Sequence, residues 1–213
     1  MDLVTPLTSI APSLDGAALS VLAGADTAMS ATQIQRIAGR GSRYGLVLVL
    51  ERLSDLGLVT AIPGARGSLY RLNRDHVLAP AVVAATQARS ELERRLAEAL
   101  ESLTPAPVSA ALYGSVARGD ATADSDIDLL IVVAEGVDPD DDVWVRQVGD
   151  LEQRARSWSG NTVQAVTVPR AQLARMVQAD EHIVSEWERD ARTLTGVDTR
   201  GLIRSVRKEA GVR

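Results

Sequence analysis

Two carboxylates, Asp126 and Asp128, sit two residues apart in the run Ser125-Asp126-Ile127-Asp128-Leu129-Leu130-Ile131. On a strand, residues two apart share a face. The acids are therefore expected to point the same way, with Ile127 and Leu129 turned into a core. Like charges held side by side raise each other's pKa unless a cation sits between them. The pair suits a divalent cation, Mg²⁺ or Mn²⁺, bound through hard oxygens with phosphates completing the shell. Upstream, an apolar run ends in Gly114-Ser115, a turn where backbone amides can approach phosphates closely.

These residues need a scaffold, and the flanking sequence supplies one. Val108 to Tyr113 reads as a strand or a helix-to-strand lead-in, and Ile127 to Val133 as a strand. An acidic, solvated loop from Glu135 to Asp142 precedes a helix from Val143 to Trp158, with Val145, Val148, Leu151 and Ala155 as its inner side. Trp144 and Trp158 read as packing residues. Gly160-Asn161 turns into a strand from Thr162 to Val168. Pro169 opens a helix to about Gln178, a second helix contains Trp187, and Ala191 to Leu194 reads as a short last strand. His76 and His182 have no partner at metal-ligand spacing, and both read as structural or surface groups.

The pattern Gly114-Ser115-Val116-Ala117-Arg118-Gly119, followed by Ser125-Asp126-Ile127-Asp128-Leu129, resembles the signature of the DNA polymerase β-like nucleotidyltransferase superfamily. It looks most like the small nucleotidyltransferases of bacteria and archaea, among them the minimal domains of toxin–antitoxin pairs and the antibiotic nucleotidyltransferases. The resemblance covers about residues 108–196 and implies a mixed sheet flanked by helices that binds a nucleoside triphosphate and Mg²⁺. By position, it assigns the triphosphate to Gly114 and Ser115, with Arg118 and Ser125 beside it, and the metals to Asp126 and Asp128. Arg118 has two readings of equal weight: charge for the phosphates, or an ion pair with Asp120 or Asp124. The implied reaction transfers a nucleoside monophosphate to a hydroxyl acceptor and releases pyrophosphate.

One position departs from that pattern. Active relatives usually carry a third carboxylate on a later strand, and the matching residue here is Gln164. A neutral amide can offer one oxygen to a metal but cannot act as a base. An enzyme and a catalytically weak or inactive regulator that senses nucleotide or a partner are both compatible with this substitution.

The first half of the chain reads differently. Leu14 to Ala23 has the spacing of an amphipathic helix, closed by Gly24. Ser30 is expected to cap a helix from Ala31 to Ala38 with Ile34 and Ile37 facing inward, and Ser42 to cap a longer one built on Leu46, Val47, Val49, Leu50 and Leu53. Strands around Leu58-Val59 and Ser68 to Leu72 flank the turn Pro63 to Gly67. This order, with Leu53 to Val59 and Tyr70 to Asn73, resembles the winged helix-turn-helix transcriptional regulators. The resemblance implies a recognition helix after Ser42, offering Arg43 and Tyr44 to double-stranded DNA, with Arg40 before it and Arg66 at the wing tip. A winged helix used only for protein contacts or dimerisation is the alternative, since four arginines make a mildly basic face.

From Pro80 to Leu103 the sequence reads as one charge-laced linker helix. Glu91 with Arg95 and Arg94 with Glu98 form i, i+4 pairs, and Leu92, Leu96, Ala99, Leu100 and Leu103 make one stripe. A dimer contact along that stripe is the other option, and Thr104-Pro105-Ala106-Pro107 ends the helix. Residues 1–13 read as a loosely packed leader.

The formal net charge of −5 conceals an uneven distribution. Residues 1–80 carry seven Arg against six acids, residues 104–200 nine Arg against seventeen, and the last thirteen residues four basic groups against one acid. The acidic half is a poor general binder of nucleic acid. With no cysteine, disulfides and thiolate metal sites are excluded. No apolar run approaches the roughly 20 residues that span a bilayer, and no signal peptide is evident, so a cytoplasmic protein without membrane attachment is expected. The expected architecture is α/β (α+β): a winged helix domain at 14–80, a linker helix at 81–103, a nucleotidyltransferase fold at 104–200 and a basic tail at 201–213. Its expected partners are a nucleoside triphosphate, DNA, and a protein partner or a second copy of the chain.

Overall fold

The computed structural model describes residues 1–65 and 67–209. They divide into two compact units, residues 2–89 and residues 90–213 with Met1.

In the first unit, three serines set the helix starts. Ser13 caps α1 (Leu14–Ala23), Ser30 caps α2 (Ala31–Ala38) and Ser42 caps α3 (Arg43–Asp55), each hydroxyl accepting from a backbone N–H of the first turn. Ser30 and Gln33 complete a reciprocal capping box. Strands β1 (Met29–Ser30), β2 (Val59–Ile62) and β3 (Leu69–Leu72) form an antiparallel sheet in the order β1-β3-β2. Leu22, Ile34, Leu46, Leu50, Leu53, Tyr70 and Leu72 build the core under them.

Three local expectations give way here. The leader is packed: Leu3 and Leu7 are buried, and the Asp2 carboxylate accepts from the backbone N–H groups of Val4 and Thr5, holding a short 3₁₀ turn at Pro6–Ser9. Ile37 faces outward, because the inner face of α2 is fully served by Ala31 and Ile34. The expected single helix from Pro80 to Leu103 is two, α4 (Ala79–Thr86) and α5 (Ala88–Glu101), interrupted at Gln87. Both expected ion pairs of α5 form, Arg95 Nε reaching Glu91 at 2.8 Å and Arg94 bonding Glu98.

The second unit holds a four-stranded mixed sheet in the order β6-β5-β4-β7. Its strands are β4 (Ser109–Tyr113), β5 (Ile127–Val133), β6 (Val163–Pro169) and β7 (Arg192–Gly196). β4 pairs antiparallel with β5 and β7, joined to β5 through the short helix α6 (Gly114–Arg118), while β5 and β6 run parallel. A parallel pair needs a long crossover, supplied by α7 (Asp142–Ser159). α8 (Arg170–Gln178), α9 (His182–Asp190) and α10 (Thr199–Glu209) follow, and Leu173, Val177, Val184, Trp187, Leu202, Ile203 and Val206 pack with Leu130 and Val132 of β5.

β5 is buried on both faces, so the core does not lie only on the side of Ile127 and Leu129 as expected. The inner side of α7 is Trp144, Leu151 and Ala155, whereas Val145 is 52% exposed. Trp144 Nε1 donates to Thr167 Oγ1 of β6 at 3.1 Å, so Trp144 takes the inner position expected of Val145. Residues 199–209 are not a separate basic tail. Leu202, Ile203 and Val206 form a buried stripe beneath the charged face of α10, a pattern hidden by the charge count. Residues 210–213 lie outside the described residues. Among the described residues no helix is long and apolar enough to cross a membrane.

Candidate active site

The site of the second unit is built where β4 ends and β5 begins. Tyr113 and Asp128 are partners in the antiparallel register, so the chain leaves β4 directly beside the second carboxylate. Gly114 then takes a φ of +68°. A Cβ there would fall 2.5 Å from Asp128 Oδ2, so backbone conformation and space both demand glycine. Ser115 is half-buried in the first turn of α6.

The loop carrying Ser125 and Asp126 is held from the far side by Asn161. Its buried side-chain amide donates to the carbonyls of Ala123 and Ser125, both at 3.0 Å, while Ile127 N donates to Thr162 O at 2.8 Å. Asn161 reads in the sequence as a turn residue, and only its neighbour in space reveals its role. The Ser125 hydroxyl accepts from Thr122 N at 2.8 Å, so it closes the loop.

Burial pushes the Asp128 carboxyl above the usual carboxylate range, and the negative charges of Asp126 and Glu186 push it further; Arg118 pulls the other way. Burial, with the charge of Asp128 beside it, likewise raises the Tyr113 phenol. Glu186, on α9, is an acid of the site that the motif does not contain. It pairs with His182 at 3.4 Å, four residues earlier on the helix.

Gln164 stands where strand alignment places it. It is the parallel-register partner of Asp128, and its Nε2 donates to Asp126 Oδ2 at 2.8 Å. Among the described residues, no group of three or more His, Asp or Glu side chains is arranged to hold a metal ion. The protein thus offers two carboxylates and an amide at this point. Arg118 takes up its ion-pair reading, but mainly with an unexpected partner: Nη1 meets Asp190 Oδ2 at 2.7 Å, and Nε meets Asp120 at 3.2 Å.

In the first unit, Arg43 and Tyr44 open α3 and both are exposed, Tyr44 at 72%. Arg40 is also exposed, but its Nη2 donates to Pro12 O at 3.0 Å. Arg66 lies outside the described residues. His76 has a structural role, its Nδ1 accepting from Leu78 N at 3.1 Å.

Residues 93–195 match the family model described as Nucleotidyltransferase domain. The matched stretch is a little under half of the chain and includes the Gly-Ser turn, both aspartates and Gln164. A comparison with curated proteins finds no match. Among solved structures, a crystal structure of a toxin–antitoxin with AMP-PNP is 18% identical over 56% of this chain and 86% of that chain, with a TM-score of 0.41. A mutant of the toxin–antitoxin MntA-HpeT is 16% identical over the same shares, with a TM-score of 0.40.

Proposed function

We propose that this protein binds a nucleoside triphosphate with Mg²⁺ at Asp126 and Asp128 and transfers its nucleoside monophosphate to a hydroxyl acceptor. The observation that carries this reading is the side-by-side acidic pair with Gly114 against it. Asp128 keeps a half-buried carboxylate next to Asp126 at a cost in protonation energy, and the space beside its Oδ2 is kept clear by a residue without a Cβ. The donor set suits Mg²⁺, with two hard oxygens from the chain and the remaining positions left to phosphates. Bound there, the ion would supply charge neutralisation for the phosphates. The chain's own part is to hold both carboxylates on one face through Asn161 and the β4–β5 register, and to offer the Gly114-Ser115 turn to the phosphates.

The test is incubation of the full chain with labelled NTPs and Mg²⁺. Release of pyrophosphate or labelling of an acceptor is expected, and Asp126→Ala with Asp128→Ala should abolish it. Retained binding of Mg·NTP without turnover of any NTP sinks the transfer reaction.

A second reading, a nucleotide-sensing regulator without turnover, is favoured by Gln164. Its amide proton is already directed at Asp126, and it provides no base for an acceptor hydroxyl. Gln164→Asp separates the two readings. A rise in transfer rate identifies the amide as the limit on catalysis, whereas an unchanged rate shows that the third carboxylate is not what limits it.

We further propose that the first unit is a winged helix-turn-helix that binds double-stranded DNA. The support is the exposed Arg43 and Tyr44 in the first turn of α3, which follows α2 across a short turn and precedes the β2–β3 hairpin. Arg43→Ala should weaken binding to a selected DNA site by about 1–3 kcal/mol. Absence of DNA binding at low salt would end this part of the reading.

A further inference from the structure

The sequence motif ends at Leu129, yet a bonded ionic cluster joins α6 to α9 beyond it. Asp190 is the last residue of α9, with a side chain only 3% exposed. Its Oδ2 accepts from Arg118 Nη1 at 2.7 Å and from Arg189 Nη2 at 2.9 Å, and its Oδ1 accepts from Arg189 Nε at 2.7 Å. Two guanidiniums share this one carboxylate, while Asp120 also meets Arg118 and the charge of Glu186 bears on Arg189. The contact of Arg118 to the exposed Asp120 is the longer one, and exposed pairs are weak, so its guanidinium is held chiefly by Asp190. Both side chains also remain open to solvent, Arg118 at 40% and Arg189 at 61% exposure, and each guanidinium has five N–H donors, only some of them used.

The placement of this pair is what gives it a use. Arg118 ends the single helical stretch that starts at Gly114, so it stands about 6 Å along the axis from the Gly-Ser turn. α9 packs on α6 and on β4, with Trp187 edge-on to Tyr113 at 6.1 Å between ring centres. α9 also carries Glu186, whose charge bears on both Asp128 and Arg189, and Arg118 bears on Asp128 as well, so Arg189 joins the site through Glu186 and through the carboxylate that it shares with Arg118. Planar forks fixed by a buried carboxylate are pre-organised for phosphate oxygens, which guanidinium groups bind in pairs of parallel hydrogen bonds.

We propose that Arg118 and Arg189, fixed by the positioning residue Asp190, form a two-arginine clamp for the polyphosphate tail of the bound nucleotide. This rests on the nucleotide-binding reading above and adds to it the contact that discriminates a triphosphate from a monophosphate. Arg189 supplies charge on the phosphates from a helix the motif does not reach. Asp190 acts through the two arginines and does not touch the ligand.

Calorimetric titration of the full chain with ATP, ADP and AMP, each with Mg²⁺, tests the clamp. The wild-type protein should bind ATP more tightly than AMP. Arg189→Gln should weaken ATP by about tenfold, the scale of one lost charge-assisted hydrogen bond, and leave AMP within about twofold. Arg189→Lys should recover part of the ATP affinity. Because the Arg189 side chain is 61% exposed, these variants should fold. Unchanged ATP binding in Arg189→Gln, or equal losses for ATP and AMP, overturns the clamp and leaves nucleotide binding standing. A wild-type protein that binds none of the three overturns the nucleotide reading and the clamp with it.

Discussion

Asp128 and Asp190 are two shielded carboxylates on neighbouring elements of one unit, and they meet opposite fates. Asp190 receives three hydrogen bonds from two arginines, and the Arg189 guanidinium foremost, then Arg118, holds its carboxyl down at about 2. Among the described residues, no arginine bonds Asp128 in this way. Burial and its acidic neighbours raise it, and a glycine holds open the space beside it. The protein has cations available within the same cluster and spends them on Asp190. An ionised group left costly in this way, while a paired one stands nearby, is what the proposed ligand site requires. Asp190 stabilises the fold; in the proposed function, Asp128 is stabilised by the ligand.

The sharpest way to break this contrast is Gly114→Ala. A Cβ at 2.5 Å from Asp128 Oδ2, on a backbone at φ +68°, must displace the carboxylate or the turn. Binding of Mg·NTP should fall by about 100-fold or more, roughly the loss of one or two charge-assisted contacts, in the same titration used for the wild type. Binding within a few-fold of wild type would show that the open space has no part in the site.

Asp190→Asn tests the other side. Replacing the carboxylate leaves two guanidiniums facing a neutral amide and should destabilise the protein by about 1–3 kcal/mol. Chemical denaturation of the full chain, followed by a probe of the second unit such as Trp187, measures this. A smaller structural loss is expected for Asn161→Ala, about 1–2 kcal/mol, because the carbonyls of Ala123 and Ser125 lose their donor. That variant should also loosen the loop before Asp126 and weaken Mg·NTP binding, which Asp190→Asn should do selectively for the triphosphate.

How far these features were legible follows from how they are encoded. Gly114-Ser115 and Asp126-x-Asp128 lie close together in the chain, and the charge of Asp126 bears on Asp128 although β5 itself begins between them, at Ile127. The helix caps at Ser30 and Ser42 were readable for the same reason, since a cap and its helix are adjacent. Gln164 was reachable because β6 pairs with β5 in a register that can be counted. Arg189, Asp190 and Glu186 were not, because they sit on α9, more than fifty residues beyond Asp128, and meet the site only through packing of α9 on α6 and β4. Ile37 and Val145 were misassigned where an apolar residue beside a fully occupied face turned outward. The last helix was hidden by its own charges, which cover Leu202, Ile203 and Val206.

The smallest expected effect is the most diagnostic, because the two acids should respond to pH with opposite signs. Asp190 has a folded pKa of about 2, below the usual 3.8 of an unfolded aspartate. It contributes stability that is complete above 3.8 and is lost as pH falls from there toward 2. Asp128 has a folded pKa above 3.8, so its ionisation costs stability at pH values above that folded pKa, and the cost vanishes as pH falls to 3.8 and below. Asp128→Asn should therefore raise the denaturation midpoint of the ligand-free protein at pH 7 by less than Asp190→Asn lowers it, and leave it unchanged near pH 3. The Asp190→Asn deficit should instead shrink as pH drops below 3.8. Adding Mg·ATP at pH 7 should stabilise the wild type and not Asp128→Asn, reversing their order. If Asp128→Asn is less stable than wild type at pH 7 without ligand, then Asp128 is a structural carboxylate like Asp190, and the contrast between them fails.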